Sequence, residues 1–373
     1  MNVGTLKELK NHEYRVGLTP DNVAAFVKGG HQVFCEAHAG EGASFTDEEY
    51  RENGAIICQT AKEVYEACEM IVKVKEPEAE EYPLLHSGQL LFTYLHLAPN
   101  KPLADALLER NVCAVAYETI EDAEGNLPCL RPMSQIAGRL SIQEGAKYLE
   151  RPFGGRGLLR GGVPGVERGK VVIIGGGIAG TYAAKAAVGM DAQVMLLDVN
   201  LNRLSYLEDV FGASVTTLYS TEANIRKCLA EADLVIGSVL IPGASTPKLV
   251  RREHLKLMKK GAVIVDIAID QGGCCETSRT TTHDQPVYIE EGIVHYCVGN
   301  MPGAVPRTST IALSNTTLRY ALMMANMGLE AACKKDPGLA KGVNLYEGKC
   351  VNVNVAGSLH YPYHALSELF ARP

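Results

Sequence analysis

Two sets of residues in this chain have types and spacings that could do chemistry. The first is Gly175-x-Gly177-x-x-Gly180. It follows an apolar run, Val171 to Ile174, of a length suited to a buried parallel strand, and leads into an Ala-rich stretch ending at Gly189. A second apolar run, from Ala192, ends on an acid, Asp198. Strand, glycines, helix and acid in that order make a dinucleotide fingerprint. Gly175 permits the tight turn, Gly177 lets the backbone approach a pyrophosphate, and Gly180 lets helix pack closely on strand. The N–H groups and positive dipole at the helix start would then hold the phosphates. Asp198 would accept hydrogen bonds from the adenosine ribose and repel a 2′-phosphate, so the cofactor expected is NAD.

The second set is Arg15, Lys75 and His96. Arg15 lies in the loop after the first apolar run, Lys75 directly follows Met70–Val74, and His96 comes two residues beyond Leu90–Tyr94. Ligands of open α/β sheets bind at the carboxyl ends of strands, where these three would converge. Two cations and one group titrating near neutrality suit a small carboxylate substrate. Taken singly, each has an ordinary reading as a solvated strand-end cation or a structural histidine. Asp270, beyond the run Ala262–Asp266, has two readings of equal weight. It is either a carboxylate on the cofactor edge or a turn-capping Asp before Gln271-Gly-Gly.

These residues need a frame. Strands are expected at 2–7, 32–36, 55–57, 70–74, 90–94 and 112–116, alternating with helices opened by Thr19-Pro20, Thr46-x-x-Glu49 and Thr60-x-x-Glu63. That alternation indicates an α/β fold with a mostly parallel sheet. A helix over 134–149 is expected to cross into a second domain, after which a Gly- and Pro-rich stretch, 154–169, forms a loop or hairpin. Further helix and strand segments follow, among them a helix over 247–260 and a helix rich in Leu, Ala and Met from 307 through 328, whose methionines suit core packing. The expected architecture is two Rossmann-like, doubly wound parallel-sheet domains joined by long crossing helices, with a cleft between. Residues 1–133 with about 308–373 would form the substrate domain, and 134–307 the NAD-binding domain.

Composition narrows the class. A chain of 373 residues with 46% hydrophobic and 21% charged residues suits a globular protein of two domains. The net charge of −7 offers no general attraction to nucleic acid or an anionic membrane. The sequence has neither a spanning apolar run nor a signal-peptide pattern, which predicts a cytoplasmic protein with no membrane partner. The 11 cysteines show no paired CxxC spacing and are expected to be reduced and mostly buried.

The motifs together resemble one family. Lys7-Glu-x-Lys-x-x-Glu-x-Arg15-Val-Gly-Leu-Thr-Pro20, Val72-Lys-Val-Lys75-Glu-Pro77, Tyr94-Leu-His96-Leu-Ala, Arg131-Pro-Met-Ser134, Gly175–Gly180, Asp266-Ile-Ala-Ile-Asp270-Gln-Gly-Gly and Asn300-Met-Pro-Gly-Ala-Val-Pro306 are similar, in order, to the bacterial NAD-dependent alanine dehydrogenases. The soluble part of proton-pumping transhydrogenase shares the pattern. The resemblance implies oxidative deamination of L-alanine to pyruvate and ammonia. Arg15 and Lys75 would bind the substrate carboxylate and keto group, and His96 and Asp270 would serve proton transfer. It also implies NAD contacts at Ser134, Asp198, Arg203, Ser220, Val239, Leu240, Ile267, Ala268, Ile269, Asp270, Arg279, Val298, Gly299, Asn300 and Met301, and a homo-hexamer. Some relatives hold a divalent ion with a Glu and a His; Glu118 matches the first, but Met327 stands at the second, and thioether is a poor ligand for Mg²⁺, so no metal is expected. The alternatives are a transhydrogenase-type NAD-binding subunit and a non-catalytic NAD-binding protein on the same fold.

Overall fold

Capped helices alternate with short apolar strands at the start of the chain. β1 (Asn2–Thr5), β2 (Gln32–Glu36), β3 (Ala55–Cys58), β4 (Met70–Val72), β5 (Leu90–Thr93) and β6 (Cys113–Ala116) interleave with α1 (Pro20–Lys28), α2 (Asp47–Glu52), α3 (Ala61–Ala67) and α4 (Lys101–Glu109). Thr19, Thr46 and Thr60 each accept the N3 backbone N–H of the helix they open. Next come α5 (Arg131–Tyr148), β7 (Lys170–Ile174), α6 (Ile178–Gly189), β8 (Gln193–Asp198), α7 (Leu201–Phe211), β9 (Val215–Tyr219), α8 (Glu222–Glu231), β10 (Leu234–Gly237), β11 (Val263–Asp266), β12 (Val287–Glu290) and β13 (Ile293–Tyr296). The chain closes with α9 (Pro306–Met327), α10 (Leu329–Lys335), α11 (Pro337–Gly342), β14 (Val343–Tyr346), β15 (Lys349–Cys350), α12 (Val353–Leu359) and α13 (Leu366–Phe370). This computed structural model describes residues 1–239 and 246–371. Two units divide the chain: Met1–Met133 with Val305–Pro373, and Ser134–Ala304.

The first unit holds one sheet in the order β15-β14-β6-β5-β4-β1-β2-β3. Neighbouring residues of its strands face opposite ways into two cores. Met70, Val72 and Phe92 pack with Val23 and Phe26 of α1 and Leu313, Tyr320 and Met324 of α9, while Ile71 and Leu91 pack with Val64 of α3, Leu103 of α4 and Val355 of α12. Met324 and, in part, Met323 thus fill core as expected, whereas Met327 at the end of α9 does not. The second unit holds a sheet in the order β12-β13-β11-β10-β7-β8-β9. In each sheet the chain order reverses beside the first parallel strand, between β1 and β4 and between β7 and β10, and that switch point is where a doubly wound sheet opens a crevice.

Both sheets are mostly parallel, as expected, and each carries an antiparallel edge: β12 runs antiparallel to β13, and β14 runs antiparallel to both β6 and β15. Both antiparallel hairpins turn on Glu-Gly pairs with positive φ at both residues, Glu291 (+51°) and Gly292 (+78°), then Glu347 (+48°) and Gly348 (+66°). That is the type I′ geometry matching the twist of a two-residue hairpin. One expectation needs correction: the helix expected over 247–260 is absent, and only a short 3₁₀ segment, Arg252–Lys256, forms. Thr246 N–H donates to Gln271 O, and Leu249 and Val250 N–H both donate to Cys274 O. Amides spent on that segment cannot build a helical ladder.

All 11 cysteines are unpaired, with only Cys58 and Cys113 partly exposed. Among the described residues no helix is long and apolar enough to cross a membrane.

Candidate functional site

In the second unit, a Cβ on Gly180 would lie 1.9 Å from Gly175 O, and Gly175 itself takes φ +102°. Nothing lies within 4 Å of a Cβ built on Gly177, which begins α6 without a side-chain cap. With no side-chain cap, the first amides of α6 lack an acceptor from the N-cap residue, and the open space beside Gly177 fits a pyrophosphate. Ser238, just past β10 and buried, donates its hydroxyl to Gly175 O at 2.8 Å and so braces the turn. The sequence reading missed it; a small hydroxyl residue after an apolar strand is a weak signal.

Asp198 does more than face a ribose. Its carboxylate accepts Gly176 N–H at 2.6 Å and Asn200 N–H at 2.8 Å, pinning the glycine loop to the end of β8. Ser220 N–H donates to Asp198 O at 3.0 Å, which sets that residue beside it. Arg203 donates from Nε to Gly176 O at 2.6 Å and from Nη2 to Thr181 Oγ1 at 2.7 Å. Its guanidinium is thus engaged with the loop. Ser134 lies one helical turn before Gly138, whose Cβ position is 2.2 Å from Ala179 O, so the start of α5 runs against the start of α6.

Beyond β11 the chain makes a 3₁₀ turn, Ile267–Gln271, capped by Asp266, which accepts Ala268 N–H at 3.2 Å. Asp266 is fully buried and also accepts Cys275 N–H at 3.1 Å and Ser278 Oγ–H at 2.6 Å. Capping therefore falls to Asp266, while Asp270 is exposed and its Oδ1 lies 3.1 Å from the Cβ position of Gly299. Val298 and Met301 are buried around that glycine, and Asn300 takes φ +59°. Arg279 lies over the Tyr288 ring at 3.6 Å, with Glu290 at 3.9 Å. Val239 is partly buried, and Leu240 lies outside the described residues.

In the first unit, Arg15, Lys75 and His96 follow β1, β4 and β5, which are adjacent in the sheet around its switch point. Arg15 is 2% exposed and donates to Glu13 from Nε at 2.6 Å and from Nη2 at 2.5 Å, with Nη1 at 3.1 Å from Met133 Sδ. Burial works against its charge, but Glu13 outweighs burial and lifts the guanidinium pKa. β4 ends at Val72, so Lys75 sits on a bend. Glu8 shapes that bend, accepting Val74 N–H at 2.7 Å and Lys75 N–H at 3.3 Å. Behind it, Lys73 is fully buried and pairs with Glu8 at 3.3 Å and Glu81 at 2.8 Å. Burial pushes the Glu8 carboxyl up to about 7 despite the pull of Lys73. No ion-pair partner of Lys75 occurs among the described residues, and burial, then the nearby Arg15 charge, lowers its pKa below the usual lysine value.

His96 is exposed, with φ +46°, and its ring stacks on Tyr94 at 6.0 Å. Glu118 accepts His96 N–H at 2.7 Å and Leu95 N–H at 3.1 Å. Met327, at the end of α9, is 39% exposed. A different cluster, Glu222, Glu253 and His254, has metal-like spacing. Its chemistry argues otherwise. His254 Nδ1 accepts Arg251 N–H at 3.2 Å, so the neutral ring carries its proton on Nε2, the atom that would have to ligate.

A glycine-loop dinucleotide unit and a second doubly wound unit carrying buried cations define a nicotinamide-dependent dehydrogenase class. The description "Alanine dehydrogenase/PNT, N-terminal domain" matches residues 4–137, and "Alanine dehydrogenase/PNT, C-terminal domain" matches 141–353. The chain belongs to that family. It is 56% identical over 364 residues to an alanine dehydrogenase of Methanococcus maripaludis, covering 97% of this chain and 98% of the relative. It is 53% identical over 371 residues to that of Geobacillus stearothermophilus, covering 99% of each. A solved L-alanine dehydrogenase is similar with TM-score 0.94 and 52% identity, covering 96% of this chain and 99% of that one. A transhydrogenase from Sinorhizobium meliloti shares the fold with TM-score 0.81 at 23% identity, covering 95% and 99%.

Proposed function

We propose that this chain is an NAD-dependent alanine dehydrogenase, catalysing reversible oxidative deamination of L-alanine to pyruvate and ammonia. The observation that carries this reading is identity above half, over nearly the full length, to curated alanine dehydrogenases. Substrate binding falls to the first unit and NAD binding to the second. NAD, when bound, supplies the hydride acceptor. Arg15, kept charged by Glu13, holds the substrate carboxylate. Lys75, with its lowered pKa, donates a hydrogen bond to the keto oxygen and polarises it. His96 moves the proton of the amine and of the attacking water, and Asp270 orders that water or stabilises the cationic imine. The homo-hexamer and the cytoplasmic location belong to the same proposal and rest on the family resemblance. The absence of a metal requirement rests on Met327 in place of a histidine. Incubation with L-alanine and NAD is expected to give NADH and pyruvate in equal amounts. NAD binding without turnover would favour a non-catalytic protein, and hydride exchange between NADPH and NAD without alanine would favour a transhydrogenase.

Cofactor choice gives a sharper test. Asp198→Ala removes the ribose acceptor and the partner of Gly176 N–H, and should weaken NAD binding by roughly 1.5–3 kcal/mol. The NADP-to-NAD ratio of kcat/KM should rise, because a like charge is gone. The gain will be limited while Arg203 donates to Gly176 O and Thr181 Oγ1. A loss of NAD affinity with an unchanged ratio would contradict the repulsion.

A further inference from the structure

We infer that Glu118 is the positioning residue of His96, holding by its carboxylate the backbone that aims the imidazole. The inference rests on the reading of His96 as the proton-transfer group. β5 ends at Thr93, which pairs with Ala116 of β6, and Glu118 lies in the 3₁₀ turn Tyr117–Thr119 just beyond β6. The register of the two strands therefore sets the carboxylate beside the Leu95–His96 peptide. Oε1 accepts both His96 N–H at 2.7 Å and Leu95 N–H at 3.1 Å, and Oε2 accepts Leu95 N–H at 3.2 Å. Amides past a strand end have no ladder partner, so this acceptor replaces the ladder.

The grip matters because His96 takes φ +46°, a region that residues with a Cβ enter at a cost and keep only where their surroundings enforce it. Rotation back to negative φ would swing the ring off Tyr94. The clamp itself is firmly seated. Tyr117, one residue before Glu118, is fully buried; its hydroxyl donates to Lys73 O at 2.9 Å and its ring meets Tyr94 edge-on at 5.0 Å. Tyr94 in turn donates to Cys129 O at 2.6 Å. An exposed, strained histidine is thus fixed through its backbone by one carboxylate and through its ring by one tyrosine. The carboxylate that matches a metal ligand of some relatives is here an acceptor for two backbone amides.

The test compares the full-length chain with Glu118→Ala, Glu118→Gln and His96→Ala, measuring kcat, KM for L-alanine, Kd for NAD and Tm. Glu118→Ala should lower kcat by at least about tenfold, while KM and Kd stay within about twofold, the signature of a misaimed group. Glu118→Gln, whose carbonyl oxygen can still accept both amides, should recover most of the lost kcat. That recovery also keeps the test informative if the alanine variant folds poorly. A wild-type kcat in Glu118→Ala beside an inactive His96→Ala would overturn the positioning role alone. Normal turnover in His96→Ala would instead remove the reading on which it rests. A Gln variant as slow as the Ala variant, in an enzyme that requires a divalent cation, would also overturn it, marking Glu118 as a metal ligand.

Discussion

His96→Ala is expected to turn over L-alanine at least about a hundredfold more slowly than the unaltered chain, the usual scale when a positioned acid–base group is lost. The ring is exposed beyond β5, so removing it leaves no cavity in either core and should barely move Tm. The fingerprint loop lies in the other unit, so the NAD dissociation constant should stay the same within error. The loss should therefore fall on kcat. Stopped-flow measurement of NADH formation at saturating alanine checks it. Near-normal turnover would show that His96 only decorates a strand end.

Lys75→Ala should cost about as much or more, roughly a hundred- to a thousandfold in kcat/KM, which is the range for a donor aimed at a developing charge. Its ammonium is depressed by burial and by Arg15, so it holds its proton less tightly than an ordinary lysine and can share it with a keto oxygen. Arg15→Ala should do less to kcat, because binding a carboxylate stabilises ground and transition states alike. It should raise KM for pyruvate, and it also leaves Glu13 as a buried carboxylate without its guanidinium, so a drop in Tm is expected. Equal and mild effects of both variants on KM alone would contradict the division of labour between the two cations.

Much of this was legible in the sequence because it follows from local rules. Thr caps, apolar runs and the glycine fingerprint each report on a few neighbouring residues, and they placed the strands of the parallel parts of both sheets to within a few residues. The hairpins were missed although their signal was local too. Glu291-Gly292 and Glu347-Gly348 separate short strands by two residues, but Glu is not among the residues that usually take the first left-handed position. The failed helix over 247–260 is a different case, since its amides are taken by Gln271 and Cys274, far along the chain, which no local pattern reveals.

The site divides the same way. Arg15, Lys75, His96 and Asp270 stand out by type and by position after strands. What holds them does not stand out. Glu13 on Arg15, Glu8 on Lys75, Glu118 on His96 and Asp266 on the turn before Asp270 are ordinary acids in a sequence, and only pairing in space distinguishes them. The engagement of Arg203 was hidden for that reason as well. Type and spacing nominate residues that could react, whereas the buried acceptors that aim them emerge only from packing.

The most direct measurement follows one atom. L-alanine deuterated at the α-carbon, incubated with the protein and unlabelled NAD, should give NADH carrying one deuterium on its nicotinamide ring for each pyruvate formed, read by mass spectrometry. Unlabelled NADH, or pyruvate appearing without reduced nucleotide, would contradict direct hydride transfer from alanine to NAD.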